Sequence, residues 1–372
     1  MAGKKKVVIA MSGGVDSSVA ALLLKKQGFD CIGATMQLFD SSEMSKNVKF
    51  SDACNSTQAV DDARKVCVKL EIPHHVFNFS AEFYDNVISY FTEEYMDGRT
   101  PNPCVICNRK IKWESILKEA DRLGADYIAT GHYARVLYNR DTKRHELHKG
   151  KNSRKDQSYA LWRLGQEQLA RTIFPLGELS KTEVRRTAEE NGLISAGKSE
   201  SMDICFIPDG DYKSFLKNNI ENLADKLSGG KLAASDGSIV GDQPGYAFFT
   251  IGQRRGIGKG FGRPMYVTGL DAENNHVIIG EEKQLFSKGL TARQVNFVSV
   301  SGAENGIQGL TKIRYNDPGA SAVIYEDGES RIKVIFDKPR KAVTPGQSIV
   351  FYDGDKVLGG GIIEAAVKTS DK

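Results

Sequence analysis

VVIAMSGGVDS, residues 7–17, is the stretch of this 372-residue chain that predicts the fold of its first domain. Its apolar first half predicts a strand, and residues 18–26 predict an amphipathic helix that ends at Gly28. Glycines between a strand and a helix let the backbone approach an anion with its N–H groups pointing inward, and the helix N-terminus adds a partial positive charge. Ser12 and Ser17 add hydroxyl donors. The stretch therefore predicts a phosphate site, although it lacks the Gly-Lys-Ser/Thr ending of the Walker loop.

Asp16 is an unusual member of this stretch. A carboxylate close to phosphate is repelled unless it binds a metal ion or orients a nucleotide. Its presence therefore points to a specialised anion site.

The first two hundred residues alternate between strand-like and helix-like segments. This order predicts a parallel sheet wrapped by helices, with ligands bound at the carboxyl ends of the strands. The phosphate loop and the Gly131-His132 turn are then expected on the same edge. Strands are predicted at 29–39, 75–79 and 126–130, and helices at 57–70, 80–96 and 110–123.

The pattern changes after about residue 208. Residues 211–227 are polar with some helical spacing, and 229–262 are rich in glycine. Short β-rich runs then follow one another and predict a small antiparallel barrel. We expect three domains, 1–208, 209–276 and 277–372, with about ten residues of slack at each boundary. The β-rich runs are 277–279, 295–298, 322–325, 332–336 and 348–352.

Composition narrows the class of protein. No run approaches the ~20 apolar residues of a membrane span. The basic N-terminus is followed at once by strand-like residues and resembles neither a signal nor a transit peptide. We therefore expect a cytoplasmic protein with no membrane partner.

Positive charge is concentrated although the net charge is only +4. Lys and Arg cluster in residues 135–155, 254–259 and 338–341. Clusters spread along the chain in this way favour a long polyanion as partner over a small one. Solvated surface loops are the alternative explanation.

The six cysteines are too few in a chain of this length for a disulfide framework. Cys31 and Cys67 fall at apolar positions of a predicted strand and helix, and Cys54 lies in a loop; all three are interpreted as structural. Cys104 and Cys107 form a Cys-x-x-Cys pair behind two prolines, which hold the backbone extended.

Cys107 is predicted at or near the start of a helix with three basic residues beside it. Both features stabilise a thiolate, so a nucleophilic Cys107 is expected. From spacing alone, a nucleophile, an iron–sulfur ligand set that includes Cys205, and a structural pair stay open.

Taken together, the motifs resemble those of the bacterial tRNA-specific 2-thiouridylases, in the wider superfamily of enzymes that split ATP into AMP and pyrophosphate. The match covers nearly the whole chain in the family's order. Besides the phosphate loop, the matching segments are 102–108, 129–133, 155–159, 204–206, 250–254, 312–315 and 345–347.

The resemblance implies an adenine-nucleotide α-hydrolase-like domain, a small central domain and a C-terminal β-barrel. It implies sulfur transfer to carbon 2 of the wobble uridine of tRNA, through an adenylated base and a cysteine persulfide, with release of AMP and pyrophosphate. ATP and Mg²⁺ are the implied cofactors. The implied partners are the tRNAs for Lys, Glu and Gln, and a sulfur-relay protein or cysteine desulfurase that donates persulfide.

The resemblance also implies roles for individual residues. Cys205 matches the persulfide-bearing cysteine and Cys107 its partner nucleophile, with a Cys107–Cys205 disulfide as the product. In an alternative order the persulfide attacks the base directly and Cys107 resolves the product. Residues that match ATP contacts are Ala10, Met11, Ser12, Gly13, Gly14, Val15, Asp16, Ser17, Met36 and Gly131. Residues that match base or tRNA contacts are Asn102, Pro103, Cys104, His132, Lys155, Asp156, Gln157, Arg314, Tyr315 and Gln347.

Cys104 departs from the family pattern, which often has aspartate at this position. A thiol cannot be assumed to replace a carboxylate in proton transfer. The change also allows a hypothesis in which Cys104, Cys107 and Cys205 hold a labile iron–sulfur cluster. The rival functions are another ATP-pyrophosphatase ligase or synthetase that acts on a small molecule, and a non-catalytic tRNA-binding protein.

Overall fold

The computed structural model describes residues 3–39, 57–195, 204–207, 210–258 and 260–368. The helices are α1 Val15–Lys26, α2 Thr57–Lys69, α3 Ser80–Phe83, α4 Ser89–Met96, α5 Pro103–Cys107, α6 Ile116–Arg122, α7 Gln166–Ala170, α8 Lys181–Glu190, α9 Tyr212–Asn219 and α10 Leu223–Lys226. The strands are β1 Lys6–Ala10, β2 Asp30–Gln37, β3 His74–Asn78, β4 Tyr127–Ala129, β5 Ala134–Asn139, β6 Arg144–Lys149, β7 Thr172–Ile173, β8 Lys231–Ala234, β9 Ile239–Asp242, β10 Tyr266–Asp271, β11 His276–Gly280, β12 Phe286–Phe297, β13 Ile307–Lys312, β14 Ala320–Glu326, β15 Arg331–Lys341, β16 Ser348–Asp353 and β17 Lys356–Lys368.

The first domain is built on a five-stranded parallel sheet in the order β3-β2-β1-β4-β7. The chain moves outward from β1 to β3 on one side and returns to β4 on the other. The strand order therefore reverses next to β1, which is where open α/β sheets bind their ligands. The loops after β1 and β4 meet at this point, as the sequence predicts.

The central strand β1 is buried on both faces. Val7, Val8 and Ile9 are each fully buried. Val8 belongs to one hydrophobic cluster, whereas Val7 and Ile9 belong to another, in keeping with the two-residue repeat of a strand. Helices cover both faces, so the strand reads as a continuous apolar run.

Two long helical stretches lie between β3 and β4. The first joins α3 to α4 through a π-helical segment, Tyr84–Ile88, and the second joins α5 to α6 through another, Asn108–Ser115. The second stretch therefore begins at Pro103, seven residues before its predicted start. Proline at the first helical position explains this start, because its missing N–H would have no partner there in any case.

The central domain has a four-stranded sheet in the order β10-β11-β8-β9, with α9 and α10 before it. Strand β11 pairs with β8 in parallel and with β10 antiparallel. The run 277–279, which the sequence groups with the barrel, thus pairs in the central sheet. The predicted boundary near residue 276 falls at the start of that strand.

The C-terminal strands close into a six-stranded antiparallel barrel, because β12 pairs with both β15 and β17. The three-part architecture predicted from the sequence is confirmed. A hairpin of β5 and β6 leaves the first domain and pairs with β17, so it extends the barrel sheet.

Much of the basic stretch 135–155 lies on this hairpin and joins the domains. Arg135 pairs with Asp355 at 3.2 Å, and Arg144 donates to the carbonyl oxygens of Phe297 and Val298. Exposed cations remain in the stretch at Arg140, Lys143 and Arg154.

Among the described residues, no helix combines the length and the apolar character needed to cross a membrane.

Candidate active site

The loop between β1 and α1 has the backbone of an anion-binding turn. Gly13 has φ +71°, and a Cβ atom there would lie 2.5 Å from the carbonyl oxygen of Ala59. Gly14, the N-cap of α1, has φ −88°. Glycine is therefore required by conformation and by space at Gly13, whereas the backbone of Gly14 suits other residues.

Serine hydroxyls hold this loop in place. The hydroxyl oxygens of Ser12 and Ser17 are 3.3 Å apart, and the Ser12 amide donates to Ser17 Oγ at 3.2 Å. Ser17 and Ser18 each donate to the carbonyl oxygen of Gly14, at 3.1 and 2.8 Å. Ser12 is exposed and Ser17 is buried, so one serine faces solvent while the other braces the turn.

Asp16 is held by a cation and a phenol from two other segments. Lys181, the first residue of α8, lies 2.8 and 2.9 Å from its two carboxylate oxygens. The Tyr133 hydroxyl donates to the same carboxylate at 2.7 Å. The Lys181 side chain is only 12% exposed, whereas that of Asp16 is 33% exposed, so the cation is largely buried and the carboxylate keeps some access to water. The pairing explains how an acid is accommodated beside an anion site.

The remaining predicted ATP contacts lie at the same sheet edge. A Cβ atom on Gly131 would come within 2.9 Å of the backbone of Asp16 and Ser17, so the turn after β4 packs directly on the start of α1. The Met11 amide donates to the Ala34 carbonyl at 2.8 Å, and Met36 lies near the carboxyl end of β2. Ala10 ends β1, and Val15 is buried at the start of α1.

The Cys-x-x-Cys pair lies on α5. Asn102 is the N-cap, Pro103 is the first helical residue, and Cys104 is exposed in the first turn. Cys107 is buried at the end of α5, one turn further along. The expectation that Cys107 begins a helix is therefore corrected: the favourable N-terminal position belongs to Cys104.

Cys205 is partly buried in a short turn, in which the Ile207 amide donates to the Ile204 carbonyl at 2.8 Å. The next residue, Phe206, packs edge-on against Phe91 with ring centroids 5.2 Å apart. Phe206 thus anchors the turn that carries Cys205 to α4. Cys54 lies outside the described residues.

The three thiols do not assemble a metal site. Cys104, Cys107 and Cys205 are all described, and no group of three or more Cys, His, Asp or Glu side chains in the described ranges is arranged to hold a metal ion. The hypothesis of an iron–sulfur cluster on these residues does not fit this arrangement.

A polar junction between the first domain and the barrel lies beside Cys104. Asp156 accepts hydrogen bonds from the amides of Gly150 and Ser158, at 3.2 and 3.0 Å. Tyr315 donates to the Asp156 carbonyl oxygen at 3.0 Å. Burial, Asp156 and Cys104 together raise the pKa of Tyr315, which places the Cys104 thiol in its neighbourhood. Burial raises the pKa of Asp156 as well.

The segment before α5 is fastened to the barrel. The Gln347 side-chain amide donates to the carbonyl oxygens of Thr100 and Pro101, at 3.0 Å each. The Tyr159 hydroxyl donates to the Ser348 carbonyl at 2.7 Å and lies within reach of the Asn102 side chain. Gln347, a predicted tRNA contact, is therefore also a brace for the segment that carries Cys104.

The other predicted tRNA contacts differ in exposure. Arg314 is exposed next to Tyr315, and Lys155 is partly exposed. The Gln157 side-chain oxygen accepts from the Tyr133 amide at 3.0 Å. His132 Nδ1 lies 2.7 Å from Thr130 Oγ1, and burial lowers its pKa well below the ordinary histidine value, so its ring is neutral at pH 7.

His132 also links the two halves of the site. Its ring lies 5.7 Å from that of Trp113, which belongs to the same helical stretch as Cys107. The preceding Gly131 packs on the phosphate loop. The phosphate loop and the thiol-bearing helix are therefore connected through two successive residues of one turn.

Family models match the three parts of the chain: a tRNA methyl transferase HUP domain over residues 5–209, a tRNA methyl transferase PRC-barrel domain over 213–281 and an aminomethyltransferase β-barrel domain over 287–363. The tRNA-specific 2-thiouridylase MnmA of Acetivibrio thermocellus is 49% identical, covering 97% of this chain and 99% of that protein. This chain belongs to the tRNA-specific 2-thiouridylase family. A relative of the same name from Salinibacter ruber is 47% identical, covering 98% of this chain and 95% of that protein. In Caldanaerobacter subterraneus, MnmA 1 is 48% identical over 98% of this chain and 99% of that protein.

Within this family fold, sequence reasoning missed two partners of Asp16. Lys181 is hidden in Ser180-Lys181-Thr182-Glu183, a capping box that signals only a helix start. Tyr133 ends the motif 129–133 but carries no signal of its own. The unusual acid in the phosphate loop was the available clue, because a carboxylate beside a phosphate site calls for a neighbouring cation.

Proposed function

We propose that this chain catalyses ATP-dependent 2-thiolation of the wobble uridine of tRNA. The observation that carries the proposal is the connection of a phosphate loop to a helix with a buried cysteine, in a chain that matches 2-thiouridylases over nearly its full length. Methyl transfer, which the family-model descriptions mention, does not call for a pyrophosphate loop or for paired cysteines.

The ATP site is assigned to the carboxyl edge of the parallel sheet. The fit rests on Gly13, whose conformation leaves the loop backbone open to an anion, and on the start of α1. ATP would supply the leaving group: the uridine O2 attacks the α-phosphorus, and pyrophosphate departs. Ser12 and the loop amides then stabilise the charge that develops on the departing phosphates.

Sulfur is assigned to Cys205 as a persulfide. In one order the terminal persulfide sulfur displaces AMP from carbon 2, and the Cys107 thiolate then cleaves the S–S bond of the Cys205 adduct and releases the thiouridine. In the other order the Cys107 thiolate attacks the persulfide first, and the sulfide that leaves displaces AMP. Both orders end in a Cys107–Cys205 disulfide, which an external dithiol reduces. Burial of Cys107 keeps its thiol away from competing oxidants until this step.

Magnesium is not assigned to protein ligands. Asp16 is the carboxylate of the loop, and Lys181 and Tyr133 already satisfy it. We propose that any Mg²⁺ is carried chiefly by the phosphates of ATP. No iron–sulfur cluster is assigned either, because Cys104, Cys107 and Cys205 are not arranged to hold a metal ion.

The proposed partners are the tRNAs for Lys, Glu and Gln, and a cytoplasmic persulfide donor. The exposed Arg314 and Cys104, and the polar junction around Asp156 and Tyr315, offer a surface for the base and its flanking nucleotides.

The test is mass spectrometry of unmodified tRNA treated with protein, ATP, magnesium and a persulfide donor, with pyrophosphate measured in parallel. The expected result is replacement of oxygen by sulfur at the wobble uridine, and pyrophosphate release that requires tRNA. Release that requires a small acid or amine would identify a ligase. If the protein binds tRNA but releases no pyrophosphate, it is a non-catalytic tRNA-binding protein.

A further inference from the structure

A cavity of about 170 Å³ lies between the first domain and the barrel, beside the helix that carries Cys107. One wall comes from the helical stretches around Tyr90 and Ile106, and the other from β12 and β17. Ile106 is the neighbour of Cys107, so the cavity lies within about one helical turn of the thiol.

The cavity lining is strongly cationic. Four positive side chains and one carboxylate, that of Glu94, face it. Glu94 is itself occupied, because it accepts from Arg99 at 2.7 and 2.9 Å and from Arg293 at 3.2 Å. Positive charge that lines a recess attracts an anion. The cationic lining residues are Arg109, Lys110, Arg163 and Arg293. Arg109 and Lys110 also pair with Glu114, at 3.2 and 2.9 Å, so Arg163 and Arg293 are the main candidates for an anion contact.

Two buried polar atoms on the lining side chains lack partners within the described ranges of the chain. They are the Tyr90 hydroxyl and Nε of Arg163. Burial, followed by repulsion from Arg109, lowers the pKa of Arg163 to about 10. A buried donor without an acceptor is costly, and an anion that accepts from both groups removes the cost.

The barrel wall is shaped to face this cavity. Successive residues of a regular strand point to opposite faces, yet Arg293 and Gln294 both line the cavity. A bulge in the pairing of β12 with β17, with Gln294 at φ +53°, allows this arrangement. Gln294 Oε1 in turn accepts from Arg163 Nη2 at 2.8 Å, which orients the guanidinium.

We propose that this cavity is a phosphate-binding subsite that takes a backbone phosphate of the RNA substrate. The proposal rests on the proposed function, since it assigns part of the same substrate. A phosphodiester held here would fix the strand on one side of the thiol-bearing helix. The exposed Cys104 lies in the first turn of that helix, and we expect the base to lie near it.

The test compares binding of an unmodified tRNA transcript by wild-type protein, Arg163→Gln and Tyr90→Phe across a salt series, with Arg122→Gln as the matched control. Arg122 lies at the far end of the helical stretch that carries Cys107, outside the cavity lining; it is 74% exposed and pairs with Glu119. Arg163→Gln should weaken tRNA binding about tenfold and reduce the salt slope by about one. Tyr90→Phe should weaken binding by about threefold without lowering the thermal midpoint, since its hydroxyl has no partner to lose. Arg293→Gln replaces Arg163→Gln if that variant fails to fold.

Inorganic phosphate is titrated calorimetrically into the same proteins. If phosphate binding depends on Arg163 while tRNA binding does not, the site takes a free phosphate and the assignment to RNA is overturned. If Arg163→Gln and Arg122→Gln bind tRNA equally at every salt concentration, and phosphate does not bind, the subsite itself is overturned. Failure of the wild-type protein to thiolate tRNA would contradict the proposed function, but it would leave this comparison of affinities intact.

Discussion

The phosphate-loop edge and the thiol junction are built in opposite ways. The edge is made mostly from consecutive residues, and its geometry follows from one glycine, a strand end and a helix start. The junction combines α5, the segment around Asp156 and two barrel segments, which carry Tyr315 and Gln347. We therefore expect nucleotide activation to depend on local sequence, and placement of sulfur and base to depend on the docking of domains.

Substitution of Cys107 or Cys205 should give the largest effect and should distinguish the functions of the two regions most clearly. Cys107→Ser and Cys205→Ser should each lower thiolation by at least about a thousandfold, because serine cannot carry or resolve a persulfide. Pyrophosphate release that depends on tRNA should persist in both, since the phosphate loop is unchanged. Quantitative mass spectrometry of tRNA and a pyrophosphate assay measure the two steps.

Cys104→Ser serves as the neighbouring control for these variants and should only weaken thiolation. Near-normal turnover by Cys107→Ser would overturn its assignment as the nucleophile.

Gly13→Ala should act on the opposite region. The new methyl group would occupy a left-handed position 2.5 Å from the Ala59 oxygen, so the loop must shift. Both pyrophosphate release and thiolation should fall by about a hundredfold, while tRNA affinity stays within about twofold. Gly14→Ala is the matched control, because its Cβ would meet only the Ser12 hydroxyl at 3.4 Å. Equal activity of the two variants would contradict the role assigned to Gly13.

Lys181→Met tests the ion pair between Lys181 and Asp16 of the phosphate loop. Of its two partners Lys181 and Tyr133, Asp16 would keep only the Tyr133 hydroxyl, and its uncompensated carboxylate would repel ATP. We expect about a tenfold rise in the KM for ATP, from the loss of charge-assisted hydrogen bonds.

Lys181→Arg, which keeps the charge, is the control and should recover part of the affinity for ATP. An unchanged KM in Lys181→Met would show that the pair is only structural.

The smallest expected effect comes from the domain contact at Gln347. Gln347→Ala removes two hydrogen bonds to the segment before α5, and thiolation should fall about three- to tenfold. Pyrophosphate release should continue to require tRNA in this variant. Gln308→Ala, at an exposed position of β13, is the control. A larger loss in Gln308→Ala than in Gln347→Ala would contradict the bracing role.

The same contrast explains what could be predicted from sequence. The apolar run of β1 and the turn at Gly13 follow from local patterns, so the parallel sheet and its ligand edge were predictable. The reversal of strand order next to β1 was not predicted, because strand order depends on pairing between distant segments. The start of α5 at Pro103 was missed because helical periodicity is weak before residue 108, where the structure changes to a π-helix.

Contacts between distant segments could not be predicted. Lys181 reaches Asp16 across 165 residues, and Arg163 meets Gln294 across 131. Neither pair has a spacing that a sequence pattern can show. The assignment of β11 to the central sheet likewise depends on its pairing with β8, since its apolar run resembles those of the barrel.

The central claim is that the two regions act on one uridine. Its most direct test is a single turnover in which isotopically labelled persulfide is loaded on Cys205, with ATP and unmodified tRNA added and no other sulfur source. We expect the label to appear on the wobble uridine in step with pyrophosphate release, and Cys107 and Cys205 to become disulfide-bonded. Release of pyrophosphate while the label stays on the protein would contradict it.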